Sequence, residues 1–182
     1  MNQKMLELLL QERAIIAIGP YYDGENSSMI YTHHGHFCYK ETVEQLLEWC
    51  CLLYAASFEG RLNASRERLG IRKNPPILVS ESLGIVAFQV PSPNNLGTMW
   101  IFDLDYEIKS QDSSHCELIF QDDLTFLIAL SEKAVGWRKG KALELHRVIH
   151  TIYESAFLLL FMQKWGKMIK SPLQNPNTSK EN

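Results

Sequence analysis

TMWIFDLDYEIKS, residues Thr98–Ser110, is the stretch on which the fold class turns. Trp100, Phe102, Leu104, Tyr106 and Ile108 alternate along it with Asp103, Asp105 and Glu107. A period of two is what a strand with one face on a core and one in water requires. The runs on either side read the same way. ILVS, GIVAFQV, HCELIFQ and LTFLIAL are short, rich in β-branched and aromatic residues, and separated by clusters of Gly, Asn, Pro, Ser and Asp. Nearer the start, AIIAIGP (Ala14–Pro20) reads as a strand ended by Gly19 and Pro20. SMIYT and HFCYK flank His33, His34 and Gly35 as an antiparallel hairpin would.

Helical periodicity occurs twice. In ETVEQLLEWCCLLYAA, Val43, Leu46, Leu47, Cys50, Leu53 and Tyr54 recur on one face with Glu44 and Glu48 opposite, so a helix capped by Thr42 is expected to run to about Ala55. In GKALELHRVIHTIYESAFLLLFMQKWGK, Leu145, Val148, Ile149, Ile152, Tyr153, Ala156, Phe157, Leu160 and Phe161 form one wide stripe. The expected fold class is therefore α+β: antiparallel sheet or sheets, one mid-chain helix and a long C-terminal amphipathic helix. The 182 residues suit a single domain over 1–170, followed by a polar, proline-containing, disordered tail over 171–182.

Composition narrows the setting. The opening MNQKMLELLLQER lacks the apolar core and cleavage site of a secretory signal, and the apolar run AFLLLFM is far below the roughly 20 residues that span a bilayer. A cytoplasmic protein with no membrane partner is expected. The four cysteines, Cys38, Cys50, Cys51 and Cys116, are then expected as reduced thiols, with Cys50 and Cys51 as small core residues.

Charge is bipolar. The chain carries a net charge of −3, yet between Arg61 and Lys73 five cations (Arg61, Arg66, Arg68, Arg72, Lys73) face one anion, Glu67. Nine acids then occupy Glu81 to Glu132, before a second basic run around the last helix. Such a clustered footprint suits a polyanion, and the planar, weakly hydrated guanidinium suits phosphate or a narrow groove. Arg61, Asn63, Ser65, Arg66, Arg68, Arg72 and Lys73 are the candidate DNA-binding residues, with Arg138, Lys139, Lys141 and Arg147 as a second set. Within the first cluster NASRERLG is expected to make one or two helical turns, capped by Asn63 or Ser65 and stopped by Gly70.

The order of motifs resembles one family. IAIGPYYDG (Ile16–Gly24), HFCY, Cys51 six residues ahead of SFEGR (Ser57–Arg61), NPPILV (Asn74–Val79) and a strand reaching Trp100 are similar to the ComK competence transcription factors of Firmicute bacteria. The resemblance implies an activator of competence genes that works as a homo-oligomer, a dimer or higher, and binds paired A/T-rich promoter boxes in double-stranded DNA through the minor groove. It also implies RNA polymerase and a Clp protease adaptor as partners. The family's adaptor grips a C-terminal F-M-L-Y-P-like motif, of which Phe161-Met162-Gln163-Lys164-Trp165 matches the first two residues, and Asn74 stands where the family has a lysine. The alternative is a ComK-like paralogue with weakened DNA binding that acts through protein contacts.

Other chemistry fits less well. His34, His36 and Cys38 would share one face of a strand, but no second group of ligands accompanies them, and a polar hairpin tip is the simpler reading. Cys51 or Cys116 with His146 or His150 makes no nucleophile signature; the two histidines, four apart, suit the polar side of a helix. No enzyme, metal site or cofactor is expected. Trp100, Trp137 and Trp165 read as core or edge aromatics rather than base-stacking platforms.

Overall fold

The alternating stretch at Thr98–Ser110 is divided between two sheets. A computed structural model describes residues 3–93, 96–121 and 123–169; the tail over 171–182 lies outside the described residues. Strands β1 (Ile15–Pro20), β2 (Ser28–Thr32), β3 (Gly35–Tyr39), β4 (Ile77–Ser80), β5 (Ile85–Pro91) and β6 (Thr98–Ile101) make an antiparallel sheet in the order β3-β2-β1-β6-β5-β4. Strands β7 (Glu107–Ser110), β8 (Cys116–Ile119) and β9 (Thr125–Ile128) make a second, three-stranded sheet. What breaks the expected long strand is Asp103. The N–H groups of Phe102 and Asp103 both donate to the Ile16 carbonyl, at 2.9 and 3.1 Å, and the Asp103 carboxylate accepts the Asp105 N–H at 2.8 Å. This Asx turn leads the chain out of one ladder and into the other.

The large sheet is two three-stranded meanders joined edge to edge, with Ala17 opposite Ile101 and Ile18 opposite Trp100. Apart from β3, whose residues 35–38 are exposed, both its faces are buried, contrary to the one-sided burial expected from the alternation. Ile18, Ile30, Ile77, Ala87, Trp100 and Phe102 point into one core; Ile16, Leu78, Val86, Phe88, Met99 and Ile101 point into the other. A bulge between Ile15 and Ala17 keeps both faces of β1 apolar by placing Ile16 and Ala17 in the same core.

Helices α1 (Gln3–Gln11) and α2 (Val43–Leu52) cover the first face with Leu6, Leu9, Leu10, Val43, Leu46, Leu47, Cys50 and Cys51. Helix α2 opens on a capping box in which Thr42 and Gln45 satisfy each other's backbone N–H, and it ends at Leu52, short of Ala55. The second face is covered by the small sheet and by the first half of α4 (Glu132–Ile169), through Cys116, Leu118, Phe126, Val135, Ala142 and Leu145. Among the described residues no helix is long and apolar enough to cross a membrane.

The expected one or two turns at NASRERLG belong to a longer helix, α3 (Phe58–Leu69), which lies against β4, α2 and α4. Its cap is Ser57, whose hydroxyl accepts the Gly60 N–H at 3.0 Å, and Glu48 of α2 accepts the Phe58 N–H at 2.7 Å. Glu48 thus caps the next helix instead of standing in water. Phe58 and Leu62 join the first core and Leu69 the second, so α3 covers the β4 edge of the large sheet.

One ion pair fastens α3 there. Arg61 donates through both terminal nitrogens to the two carboxylate oxygens of Glu81, just past β4, and through Nη2 to the Tyr54 carbonyl at 3.4 Å. The Arg61 side chain is only 12% exposed and that of Glu81 27%. Burial pushes the Glu81 carboxyl up, but the hydrogen bonds and charge of Arg61 outweigh it and hold the pKa below the ordinary glutamate value. A depressed carboxylate adds stability that is complete above the ordinary pKa of about 4.3 and is lost as pH falls through the lower, folded-state value.

Two outcomes follow for denaturant melts. Glu81→Gln lowers the unfolding free energy near neutral pH by about 2 kcal/mol, less than for a fully buried pair because Glu81 is partly exposed. The gap between wild type and Glu81→Gln closes as the solution is acidified below the glutamate range; a gap that stays constant there would contradict the assignment.

Candidate nucleic-acid interface

The basic cluster divides into cations engaged within the fold and cations facing water. Arg61 is engaged, as described, and its expected place on an open cationic surface is corrected by that pairing. Ser65 is buried within α3. Arg66 is half-buried and reaches back along its own helix, to Asn63 at 2.7 Å and Glu59 at 3.3 Å. Asn63, Arg68, Arg72 and Lys73 are exposed. Among the described residues none of Arg68, Arg72 and Lys73 lies within ion-pair distance of a carboxylate.

The backbone fixes where these three sit. Gly70 ends α3 in the left-handed conformation at φ +62°, and the Gly70 and Ile71 N–H groups both close onto the Arg66 carbonyl. Only glycine takes that geometry without strain. Arg72 and Lys73 follow at the tip of the turn, which returns through Asn74, itself at φ +49°, into the buried Pro75 and Pro76. The Pro75 carbonyl accepts from the Gln89 side chain at 3.4 Å. The turn is thus clamped at both ends, and its two long cationic side chains project from a fixed base. The C-terminal end of α3 also carries the negative end of the helix dipole, which Arg66 and Arg68 offset in place.

The second basic set behaves similarly. Arg138 donates to the Gln89 carbonyl at 2.6 Å, and burial lowers its pKa. Lys139 lies 4.3 Å over the Tyr106 ring, and Lys141 pairs with Glu144 at 2.7 Å. Arg147 alone of the four is exposed. It stands on the part of α4 that neighbours α3, since Leu69, Leu145 and Ile149 share one core. The acids Glu107, Asp112, Glu117 and Asp123 belong to the three-stranded sheet and its turns, a different layer from α3.

The other chemistries considered find little geometry. The hairpin forms with His33 and His34 at its tip, and His33 lies 3.4 Å from Asp103. Among the described residues no group of three or more His, Cys, Asp or Glu could hold a metal ion. Cys50 and Cys51 are buried core residues, and burial pushes the Cys51 thiol up to about 12 despite the nearby charge of Arg61. Burial raises the Cys116 thiol as well, so neither candidate nucleophile is a thiolate near neutral pH. Trp100 is a core residue, paired edge-to-face with Phe58 at 5.6 Å, and Trp137 is half exposed.

No curated protein and no solved structure matches the chain. A family model described as ComK protein matches residues 9–152, most of the chain and all of both basic clusters. The chain belongs to the ComK family, whose members are non-catalytic transcription factors.

Proposed function

We propose that this protein is a transcriptional activator of the ComK type, a single domain over residues 1–170 that binds A/T-rich promoter boxes of competence genes through the minor groove. Arg68, Arg72 and Lys73 supply the principal contacts, with Asn63 beside them and Arg147 as a secondary cation. The observation that carries this reading is the last turn of α3 with the clamped turn after it, which together hold three exposed cations, Arg68, Arg72 and Lys73, without carboxylate partners among the described residues. A/T tracts have a narrow minor groove of enhanced negative potential, and arginine is the side chain that exploits it. The acidic small sheet, in another layer, disfavours approach from its side and so limits DNA to one orientation. Paired boxes call for paired subunits, and family membership supports a homo-oligomer. RNA polymerase and a Clp adaptor are partners this reading takes from the family alone. Arg61 has a supporting part: its bond to Glu81 holds the helix that presents the others.

The test is fluorescence anisotropy on an A/T-box duplex across a salt series. Wild type loses affinity with a log-log slope of about −0.9 per phosphate neutralised, and Arg68→Ala, Arg72→Ala and Lys73→Ala each flatten that slope by about 0.9 without changing thermal stability. Arg61→Ala instead lowers the melting midpoint by about 4–8 °C. An anisotropy unmoved by wild type at low salt would contradict DNA binding and favour the paralogue that acts through protein contacts.

A further inference from the structure

A cleft of about 450 Å³ opens where the end of α1, the β4–β5 turn, the β6–β7 connection and α4 come together. That volume lies within the range of sites that hold small organic ligands. Leu10, Ile85 and Phe102 form its buried base, and Leu104 and the exposed Leu143 stand nearer its rim. Among the described residues none of the candidate DNA-binding side chains lines it.

Polar groups of both signs share these apolar walls. Gly84, at φ +63°, leaves bare a point where a Cβ would stand 2.6 Å from His146 Nε2 and 3.6 Å from Arg13 Nη2. The two basic side chains thus converge over backbone, and the missing Cβ leaves room for a ligand oxygen. Arg13 is held there from both ends. Its backbone takes φ +53°, the left-handed geometry that glycine ordinarily supplies after a helix, and its Nη2 donates to the Leu83 carbonyl. A guanidinium has five N–H donors, so most of its capacity is unspent. Among the described residues no carboxylate lies within ion-pair distance of Arg13, although Asp103 and Asp105 line the same cleft. Asp103 is engaged: one of its oxygens accepts the Asp105 N–H at 2.8 Å and the other lies 3.4 Å from His33 Nε2. Asp105 gives Oδ2 to the Gln121 side chain at 2.9 Å, and among the described residues its Oδ1 accepts no hydrogen bond.

We propose that this cleft binds a small organic zwitterion whose carboxylate and ammonium stand apart on an apolar body, the chemistry of an apolar dipeptide. The carboxylate sits over Gly84 between His146 and Arg13, the ammonium goes to Asp105, and the side chains cover the base and the rim. A plain fatty carboxylate would leave the aspartates facing apolar surface, and an alkylamine would leave Arg13 unanswered; a zwitterion satisfies both. Apolar surface at base and rim alike is more than one side chain covers, which favours two. Ordered backbone supplies the mould: the Gly84 N–H donates to the Glu81 carbonyl at 3.2 Å, closing the turn that faces the ligand.

Isothermal titration calorimetry of the full chain with leucyl-leucine is the measurement, with circular dichroism to verify the fold of each variant. Wild type takes up one equivalent, saturably, with a dissociation constant below about 1 mM. Blocking either end of the peptide, by N-acetylation or C-amidation, weakens binding at least about tenfold, because a charged side chain then loses its ionic partner. Arg13→Gln weakens the free peptide as much but leaves the C-amidated one unchanged, and Asp105→Asn does the same with the N-acetylated one. Leu143→Trp, on the exposed rim, fills the cleft and abolishes uptake while the far-ultraviolet spectrum stays that of wild type. No saturable heat at millimolar peptide, a doubly blocked peptide that binds as well as the free one, or uptake that survives Leu143→Trp would each overturn the proposal. The titration contains no DNA, so none of these results bears on the reading of α3 and its turn.

Discussion

Burying one sheet on both faces is the constraint from which the rest of this structure follows. Adjacent residues of β6 and the one that follows it serve different cores, Met99 and Ile101 one way and Trp100 and Phe102 the other. Such a sheet needs a cover on each side and protection at its β4 edge, and α3 supplies the last. A helix in that position must reconcile two cores with a polar exterior. It does so with three apolar anchors, Phe58, Leu62 and Leu69, and with the Arg61–Glu81 pair. The remaining face of α3 and the turn after it are free to be basic.

The engaged and exposed arginines therefore do different work although they stand in one run. A buried guanidinium without a carboxylate would cost several kcal/mol, so Arg61 and Glu81 are best understood together, as a fastener. Arg68, Arg72 and Lys73 bear no such constraint; on a mildly acidic protein they form the local exception that an anionic polymer would find. Long-range repulsion from the acidic sheet and short-range attraction at the turn are opposite signs of one field, and both weaken within a Debye length of about 8 Å at physiological salt.

Much of the fold was legible because burial and period agreed. The hairpin at Ser28–Tyr39, the strands β4, β5, β8 and β9, the Thr42 cap and the helical periodicity of α2 follow from patterns that any half-buried element must show. Helix α1 could have been read from Leu6, Leu9 and Leu10, whose spacing is helical. The division of Thr98–Ser110 could not, because Leu104 and Tyr106 continue the alternation through the Asx turn and only the hydrogen bonds to Ile16 reveal the break. Helix α3 is only partly legible in the sequence, because its apolar anchors are few and Gly60 weakens its start. The basic cluster was visible as charge, but exposure was not: Arg61 differs from Arg72 by a partner twenty residues away in sequence, Glu81, that only the folded chain brings near. The part of α4 between His150 and Met162 reads in sequence as a stripe that continues into the core, whereas its described side chains are exposed.

Arginine modification tests the central claim most directly. Treatment with phenylglyoxal, with and without a saturating A/T-rich duplex, followed by peptide mass spectrometry, reports each guanidinium separately. The account predicts that Arg68 and Arg72 react freely in the absence of DNA and are protected by it, while Arg61 is unreactive in both conditions. Equal modification of Arg68 and Arg72 with and without duplex, under conditions where the duplex is bound, would contradict it.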